Sequence, residues 1–383
     1  MRTKVLAACL LVVGCDSPEP RPNATLFEGA LLITGDAVPP MENSAFLIED
    51  GRVVEIGYAG SIELPPEATR VDLTNKIVIP ALINAHVHLG QTREELTEEL
   101  QRYAYYGVGT VQSLGLDSGE AVMEMRGESV PGGARYLTAD RGVTAPEPGR
   151  SEVPHWITSE AEARAAVQDL GQRGVDLVKI WVDDRNGQYD KLGPELYGPV
   201  IAEAHSLGQK VAAHIFTLED AKGLLAAGID AFAHSIRDVD VDEEALALFA
   251  ANPEVVLIPN LPGSGSGGFG VQARNLAALN QAGVKIAMGT DGGSPPAAHQ
   301  EMADMVTAGM SPAAVLVAAT GTSAAFLGLE DIGTLAAGNV ADFVILDRNP
   351  LSDIANTEAI ESVYLRGEPV DRAAIGARIE AGG

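Results

Sequence analysis

The sequence predicts an α/β protein whose body is a (β/α)8 TIM barrel, with a small β-lobe built from both ends of the chain. Three observations predict it. A helix–glycine–strand unit recurs from about residue 100 onward, its strands are apolar nearly throughout, and two flanking segments replace the unit with short strands broken by turns. Strands that are apolar on both faces belong to parallel sheets covered by helices. Eight such units close into a barrel.

The unit appears as YYG-VGTVQSLG, QRG-VDLVKIWVDD, SLG-QKVAAHIF, AAG-IDAFAHSIR and QAG-VKIAMGTDGG. In each, a glycine ends a helix and a strand begins at once. The run ending at His86, the one near Tyr136 and the one at residues 255–261 bring the strands to eight. Helical patterns are read at residues 159–173, 194–207, 218–227 and 312–327. The stretch GSGSGGFG at residues 263–270 follows strand seven, and reads as a flexible loop over the barrel mouth or as a plain spacer. The lobe takes residues 24–76 (TLFEGALLI, AFLIEDGRVVEIG) and 333–376 (ADFVILD, ESVYLRGEPV), leaving the barrel residues 77–332.

A chain of 383 residues exceeds what one core usually serves, which agrees with a barrel plus a lobe. Acidic residues outnumber basic ones 53 to 26, so a phosphate backbone is repelled and nucleic acid is excluded as a partner. Residues 1–15 read as an export signal, with Arg2 and Lys4 ahead of an apolar run from Val5 to Val13 that is too short to span a bilayer. Val12, Val13, Gly14 and Cys15 resemble the lipobox of bacterial lipoproteins, in which the cysteine is lipidated and becomes the mature N-terminus. Leu6 to Cys9 also fits that pattern, but leaves almost no apolar run before the cut; a plain signal peptide without lipid is the alternative. The polar, proline-rich residues 16–23 suit a tether. Removal of Cys9 leaves at most one cysteine, so no internal disulfide is expected, and the membrane is met through the lipid anchor only.

In a (β/α)8 barrel the carboxyl ends of the strands converge on one face, so polar residues there are weighed as a set. Six qualify: His86 and His88 after strand one, Lys179 in strand four, His214 after strand five, His234 after strand six and Asp291 after strand eight. His86 and His88 are two apart, so on a strand they face the same side and can grip one ion. Lys179 lies in LVKIW, where an unpaired ammonium is costly to bury. Reaction with CO2 would relieve the charge and give a carbamate able to bridge two divalent cations; an ion pair with Asp183 or Asp184 is the alternative. Asp291, in MGTDGG, can ligate a metal and also take a proton from water. Nitrogen and carboxylate donors without thiolate suit Zn2+ first, then Mn2+, Co2+ or Fe2+.

The stretches IPALINAHVHL, LVKIWVDD, AEAHSLGQKVAAH, GIDAFAHS, MGTDGG and GTLAAGNVADFVILDRNPLSDI resemble the amidohydrolase superfamily, within it the imidazolonepropionase-like and prolidase-like group. The resemblance runs over essentially everything after the tether. It implies a split β-sandwich lobe beside the barrel and a site of the six residues named. It further implies that His86, His88 and Asp291 hold one metal, that His214 and His234 hold the other, and that a carboxylated Lys179 bridges the pair. Members with a mononuclear site lack that lysine. The family reads Pro-Gly-Leu-Ile-Asp where this chain has Pro80, Ala81, Leu82, Ile83 and Asn84, which removes no ligand.

The reaction expected is attack of a metal-bridging hydroxide on a carbonyl carbon, with Asp291 moving the proton to a leaving amine. Short peptides, N-acyl amino acids or related amides are the substrates expected. Arg141 and Arg237 are candidates to clamp a substrate carboxylate, and Tyr189 or Tyr197 to stabilise an oxyanion. His205 reads as a packed structural residue, and His299 as a support for the site. A lactonase or phosphotriesterase would use the same nucleophile, and a non-catalytic solute-binding lipoprotein is the rival from another class.

Overall fold

A computed structural model describes residues 21–292 and 294–382. The export signal, Cys15 and most of the tether lie outside these residues. Two all-parallel sheets form the body. One holds the strands Leu82–Val87, Val108–Ser113 and Arg135–Thr138. The other runs, in hydrogen-bonded order, His155–Trp156, Val143–Thr144, Val178–Trp181, Val211–His214, Ala231–Ala233, Val256–Ile258 and Lys285–Ile286.

Backbone bonds join the two sheets at both ends. Ala85 N–H donates to the Met288 carbonyl at 2.8 Å, and Asp176 N–H to the Thr138 carbonyl at 3.0 Å. With the two-residue strands His155–Trp156 and Val143–Thr144 left to one side, the other eight strands succeed one another around a ring, with helices between them on the outside. Small side chains fill the inside, among them Ala85, Ala139, Ala212, Ala231, Ala233 and Ala287.

The recurring unit has a local cause. Ser159 caps the helix Glu160–Arg173 by accepting from Glu162 N–H, and Gly174, at φ +79°, ends it in the left-handed conformation that glycine adopts freely. The segment read as one helix at residues 312–327 is broken. Pro312–Val317 passes through a π-turn, Ala318–Thr322, into Ser323–Phe326. That turn frees the Ala318 carbonyl to accept from Met288 N–H, at 3.2 Å, and from Ser323 Oγ, at 2.7 Å, tying it to strand eight.

Both ends of the chain meet in one mixed sheet of eight strands. Thr25–Leu32, Met41–Glu49, Arg52–Tyr58, Thr69–Asp72 and Ile77–Pro80 are joined by Phe343–Leu346, Ile360–Leu365 and Glu368–Pro369. Ile77–Pro80, grouped by the sequence with the barrel, pairs antiparallel with Phe343–Leu346 because its four buried apolar residues complete this sheet. Phe27, Phe46 and Phe343 pack at centroid distances of 5.1 to 5.4 Å, although another strand separates the first two from the third in the sheet order. The sheet thus folds over a common aromatic core. The last described element is a helix, Arg372–Gly382, which no sequence signal beyond the last strand predicts. Among the described residues no helix is long and apolar enough to cross a membrane.

Candidate metal centre

His86 and His88 leave strand one pointing the same way. His86 is fully buried, and its Nε2 lies 3.0 Å from Asp291 Oδ1. His88 Nε2 lies 3.2 Å from the same oxygen. His234 Nε2 approaches Asp291 Oδ2 at 3.6 Å. His86, His234 and Asp291 offer donor atoms all within 4.8 Å of one another. Ligands about 2.0–2.2 Å from a common ion are separated by such distances.

Local structure fixes these positions. The His86 carbonyl accepts from Thr290 N–H at 3.0 Å and Asp291 N–H at 2.9 Å, so the backbone of one ligand candidate seats another. Asn84 Nδ2 donates to Thr290 Oγ1 at 2.9 Å and clamps the same turn. The glycine of MGTD is required by proximity: a Cβ on Gly289 would stand 2.5 Å from Ile258 Cγ2 and 2.8 Å from His86 Cβ. Asp291 at φ +56° and His234 at φ +129° hold conformations that L side chains rarely adopt. Such strain clusters at functional sites.

The imidazoles are oriented from behind. His86 Nδ1–H donates to Asn260 Oδ1 at 2.9 Å, and His88 Nδ1–H to the Gly115 carbonyl at 3.0 Å. Both Nε2 atoms therefore carry lone pairs, and they converge on a carboxylate oxygen. No hydrogen bond satisfies the buried Nε2 of His86. Acceptors that face one another without a proton between them call for a cation, and backing of this kind is usual behind metal-binding histidines.

The other two candidates adjoin this group. The His214 ring centroid is 4.5 Å from that of His234. In the parallel register His214 pairs with Trp181 and Ala212 with Lys179, so Lys179 enters the barrel one step below His214. Lys179 is fully buried, its Nζ has no hydrogen-bond partner, and it stands over the Trp181 ring, 5.5 Å from Nζ to centroid. The ion pair weighed as an alternative does not form: Asp183 instead accepts from Arg185 Nη1 at 2.7 Å and faces His214 Nε2 at 3.0 Å.

The electrostatics agree with this geometry. Burial pushes the Lys179 amine down to about 7, aided by the charges of Arg185 and Arg237 and opposed by Asp291. Burial likewise lowers His86 to about 4 and His214 to about 3, and holds His234 well below the usual histidine range. These rings are neutral at neutral pH, the form a metal binds. Burial alone would raise the Asp291 carboxyl, but His86, His88 and His234 outweigh it and hold Asp291 well below the usual carboxylate range. Four imidazoles, a carboxylate and an unpaired amine, without thiolate, fit divalent metal ions.

Other candidates part company with the site. Arg237 adjoins it, with Nη2 donating to the Ile215 carbonyl at 2.9 Å and the guanidinium over the Phe216 ring. Arg141 does not. Its Nε donates to the Val153 carbonyl, and the side chain lines a separate cleft of about 530 Å3 with Asp140, Glu152, Asp169 and Arg173. The Tyr189 hydroxyl donates to the Pro148 carbonyl at 3.3 Å, which ties two loops together instead of facing the histidines. Tyr197 is buried against Gly223.

His205 is exposed rather than packed, and pairs with Asp230 at 2.8 Å. His299 spends both ring nitrogens elsewhere, on Thr357 Oγ1 and the Tyr106 carbonyl, each at 2.9 Å, and so docks its helix on the C-terminal segment. The glycine-rich loop is anchored at its base: Leu261 N–H donates to Glu301 and Ser264 N–H to Asp304.

Sequence reasoning missed Asn260, and gave Arg185 and Glu147 no role. The signal for the first was a lone polar residue ending strand seven, in IPNLP, and for the second a charged run directly after strand four. Arg185 Nε donates to Glu147 Oε1 at 3.0 Å, which connects the strand-three loop to His214 through Arg185 and Asp183.

Comparison with known proteins finds a family and several relatives. Residues 193–370 match the amidohydrolase family. A candidate prolidase from Bifidobacterium longum, of known structure, is 29% identical and covers 94% of this chain and 99% of its own, with a TM-score of 0.82. Ochratoxinase from Aspergillus niger is 25% identical over 86% of this chain and 82% of its own length. Imidazolonepropionase from Salinispora tropica is 25% identical over 85% of this chain and 89% of its own. Members of this family typically bind divalent metals, and such neighbours imply a TIM-barrel catalytic domain. By the match over residues 193–370 and by fold, the chain is similar to the amidohydrolase superfamily.

Proposed function

We propose that this protein hydrolyses a C–N bond, amide or peptide-like, in a small substrate. Two divalent metal ions, Zn2+ first, would be held by His86, His88, His214, His234 and Asp291, with a CO2-carboxylated Lys179 between them. The observation that carries this reading is the convergence of unprotonated Nε2 atoms of His86 and His88 on the Asp291 carboxylate at 3.0 and 3.2 Å. Metal ions at such a site polarise a carbonyl and supply a water-derived nucleophile at neutral pH.

The chain's own residues supply the rest. Asp291 is ionised, borders the histidine cluster and is partly open to solvent, so it can take a proton from attacking water and return it to the leaving nitrogen. Lys179, near 7, presents a neutral amine to CO2; a new N–C bond gives the carbamate with release of one proton. The prolidase, imidazolonepropionase and ochratoxinase names of the relatives support a hydrolytic reading. The order of charged, apolar and small residues before Cys15 supports export and lipid anchoring to the cell envelope.

The test is a panel of dipeptides, N-acyl amino acids, lactones and aryl phosphotriesters offered to metal-loaded protein. Amide turnover is expected, falling at least ~100-fold in Asp291→Asn. Asparagine tolerates the left-handed backbone at that position, so the fold survives. Turnover of lactones or phosphotriesters without any amide turnover would overturn the assignment, and no turnover at all would favour a solute-binding role.

A further inference from the structure

Strand seven, Val256–Ile258, runs on as Pro259, Asn260, Leu261 and Pro262, and this short stretch backs two of the candidate ligands. The Ile258 carbonyl accepts from His234 N–H and the Pro259 carbonyl from Ser235 N–H, each at 3.0 Å. Asn260 Oδ1 accepts from His86 Nδ1–H at 2.9 Å. Proline has no N–H, so the stretch past Ile258 offers only the N–H groups of Asn260 and Leu261. Both turn to one side chain, Glu301. Leu261 N–H donates to its two oxygens, at 2.9 and 3.1 Å, and Asn260 N–H to the same carboxyl.

Glu301 comes from the helix Ala297–Thr307, where it is buried and, among the described residues, no cation pairs with it. Burial pushes its carboxyl well above the ordinary range, and the Leu261 and Asn260 N–H groups oppose that shift. An acid in so unfavourable a place calls for an explanation. The helix that carries it is well fixed. His299 ties it to Thr357 Oγ1 and the Tyr106 carbonyl, and Asp304 accepts from Ser264 N–H at 3.0 Å.

Asn260 needs such a grip. Its backbone is left-handed, at φ +48°, and its Nδ2 is buried without a partner, so no second hydrogen bond turns the side-chain amide toward His86. The backbone beneath the amide aims Oδ1, and Glu301 holds that backbone.

We propose that Glu301 is a positioning residue of the metal centre, fixing Asn260 and, through it, the His86 ring with Nε2 free for a cation. The proposal rests on the metal-dependent reading above. It gives a role to a buried acid whose hydrogen bonds go to backbone N–H groups and to none of the six candidate ligands.

The experiment uses the full-length protein and two variants of similar length: Glu301→Gln, which keeps an acceptor, and Glu301→Met, which has none and leaves no cavity. In metal-free protein, nitrogen-edited NMR reads the His86 Nδ1–H proton, assigned by its loss in His86→Ala. In metal-loaded protein, chelator competition reads affinity. Wild type and Glu301→Gln should show the Nδ1–H signal, and Glu301→Met should lose it to solvent exchange. Affinity should fall at least ~10-fold in Glu301→Met and stay within about 3-fold in Glu301→Gln. Combined with Asn260→Gly, Glu301→Met should cost less than the product of the two separate factors, because both act on one ring. Where Glu301→Met does not fold, Glu301→Asp, whose carboxyl is withdrawn by one methylene, takes its place with the same expectations.

An unchanged His86 signal and unchanged affinity in folded Glu301→Met, even with a lower Tm, would reduce Glu301 to a stabiliser of its loop and overturn the proposal. A double variant that loses the full product would overturn it too. Wild-type protein that binds no metal, while its His86 signal responds to Glu301 as stated, would instead remove the metal-dependent reading and leave the positioning role standing.

Discussion

Replacing Lys179 by methionine is predicted to stabilise the metal-free, bicarbonate-free protein below neutral pH. The side chain is fully buried and its Nζ has no partner. Burial holds the amine near 7 in place of its ordinary 10.5, which corresponds to roughly 5 kcal/mol against the ammonium form. The Trp181 ring returns about 2 kcal/mol at most. Desolvation therefore wins by about 3 kcal/mol.

The penalty is present in full below about pH 7, where folded and unfolded chains both carry the proton. It shrinks as pH rises toward 10.5, because in that window only the unfolded chain holds the proton. Methionine has similar length and no charge, so it fills the space without that penalty. For a chain of this size the difference amounts to a rise in Tm of roughly 3–6 °C. Scanning calorimetry of both proteins at about pH 6 and about pH 10 is the assay. A higher Tm for the variant at the lower pH, narrowing at the higher, is the expected result. A lower Tm at about pH 6, or a gap that ignores pH, would show that Lys179 has a buried counter-charge and refute the reasoning.

Further predictions concern the groups around the cluster. Asn260→Gly keeps the left-handed backbone at φ +48° while removing the acceptor behind His86, so chelator competition should show metal affinity about 10–100-fold weaker; unchanged affinity would mean that Asn260 does not orient the ring. Metal-free protein should lose stability as pH falls from about 6.5 to about 4, because the unfolded chain protonates its histidines first while His86 and His214 resist to about 4 and about 3. Urea midpoints that stay flat across that window would contradict the burial argument.

The sequence made the barrel legible because each repeat carried its own local signals: a capping serine at Ser159, a left-handed glycine at Gly174 and a strand apolar on both faces. The site was legible for a related reason. His86, His88, His214, His234 and Asp291 lie at or just after the carboxyl ends of strands of the same ring, and parallel topology brings those ends together.

What escaped was whatever depends on side-chain direction. Arg141 follows strand three as the argument required, yet its guanidinium turns to the Val153 carbonyl, a partner twelve residues on. His299 follows strand eight, yet it reaches Thr357 and Tyr106 across the fold. Asn260 and Arg185 act through hydrogen bonds over 174 and 29 residues of sequence, which no periodicity records. The π-turn at Ala318–Thr322 arises from the demand of Met288 N–H for an acceptor, a tertiary cause unseen in an unbroken helical pattern.

The most direct test of the metal centre is elemental analysis of the purified full-length protein, expressed with added bicarbonate. The account predicts two equivalents of divalent metal per chain, falling to one or fewer in Lys179→Ala, with the His86→Ala site losing its ion. Wild-type protein that binds no divalent metal after loading, or binds it equally well without His86, Lys179 and Asp291, would contradict the account.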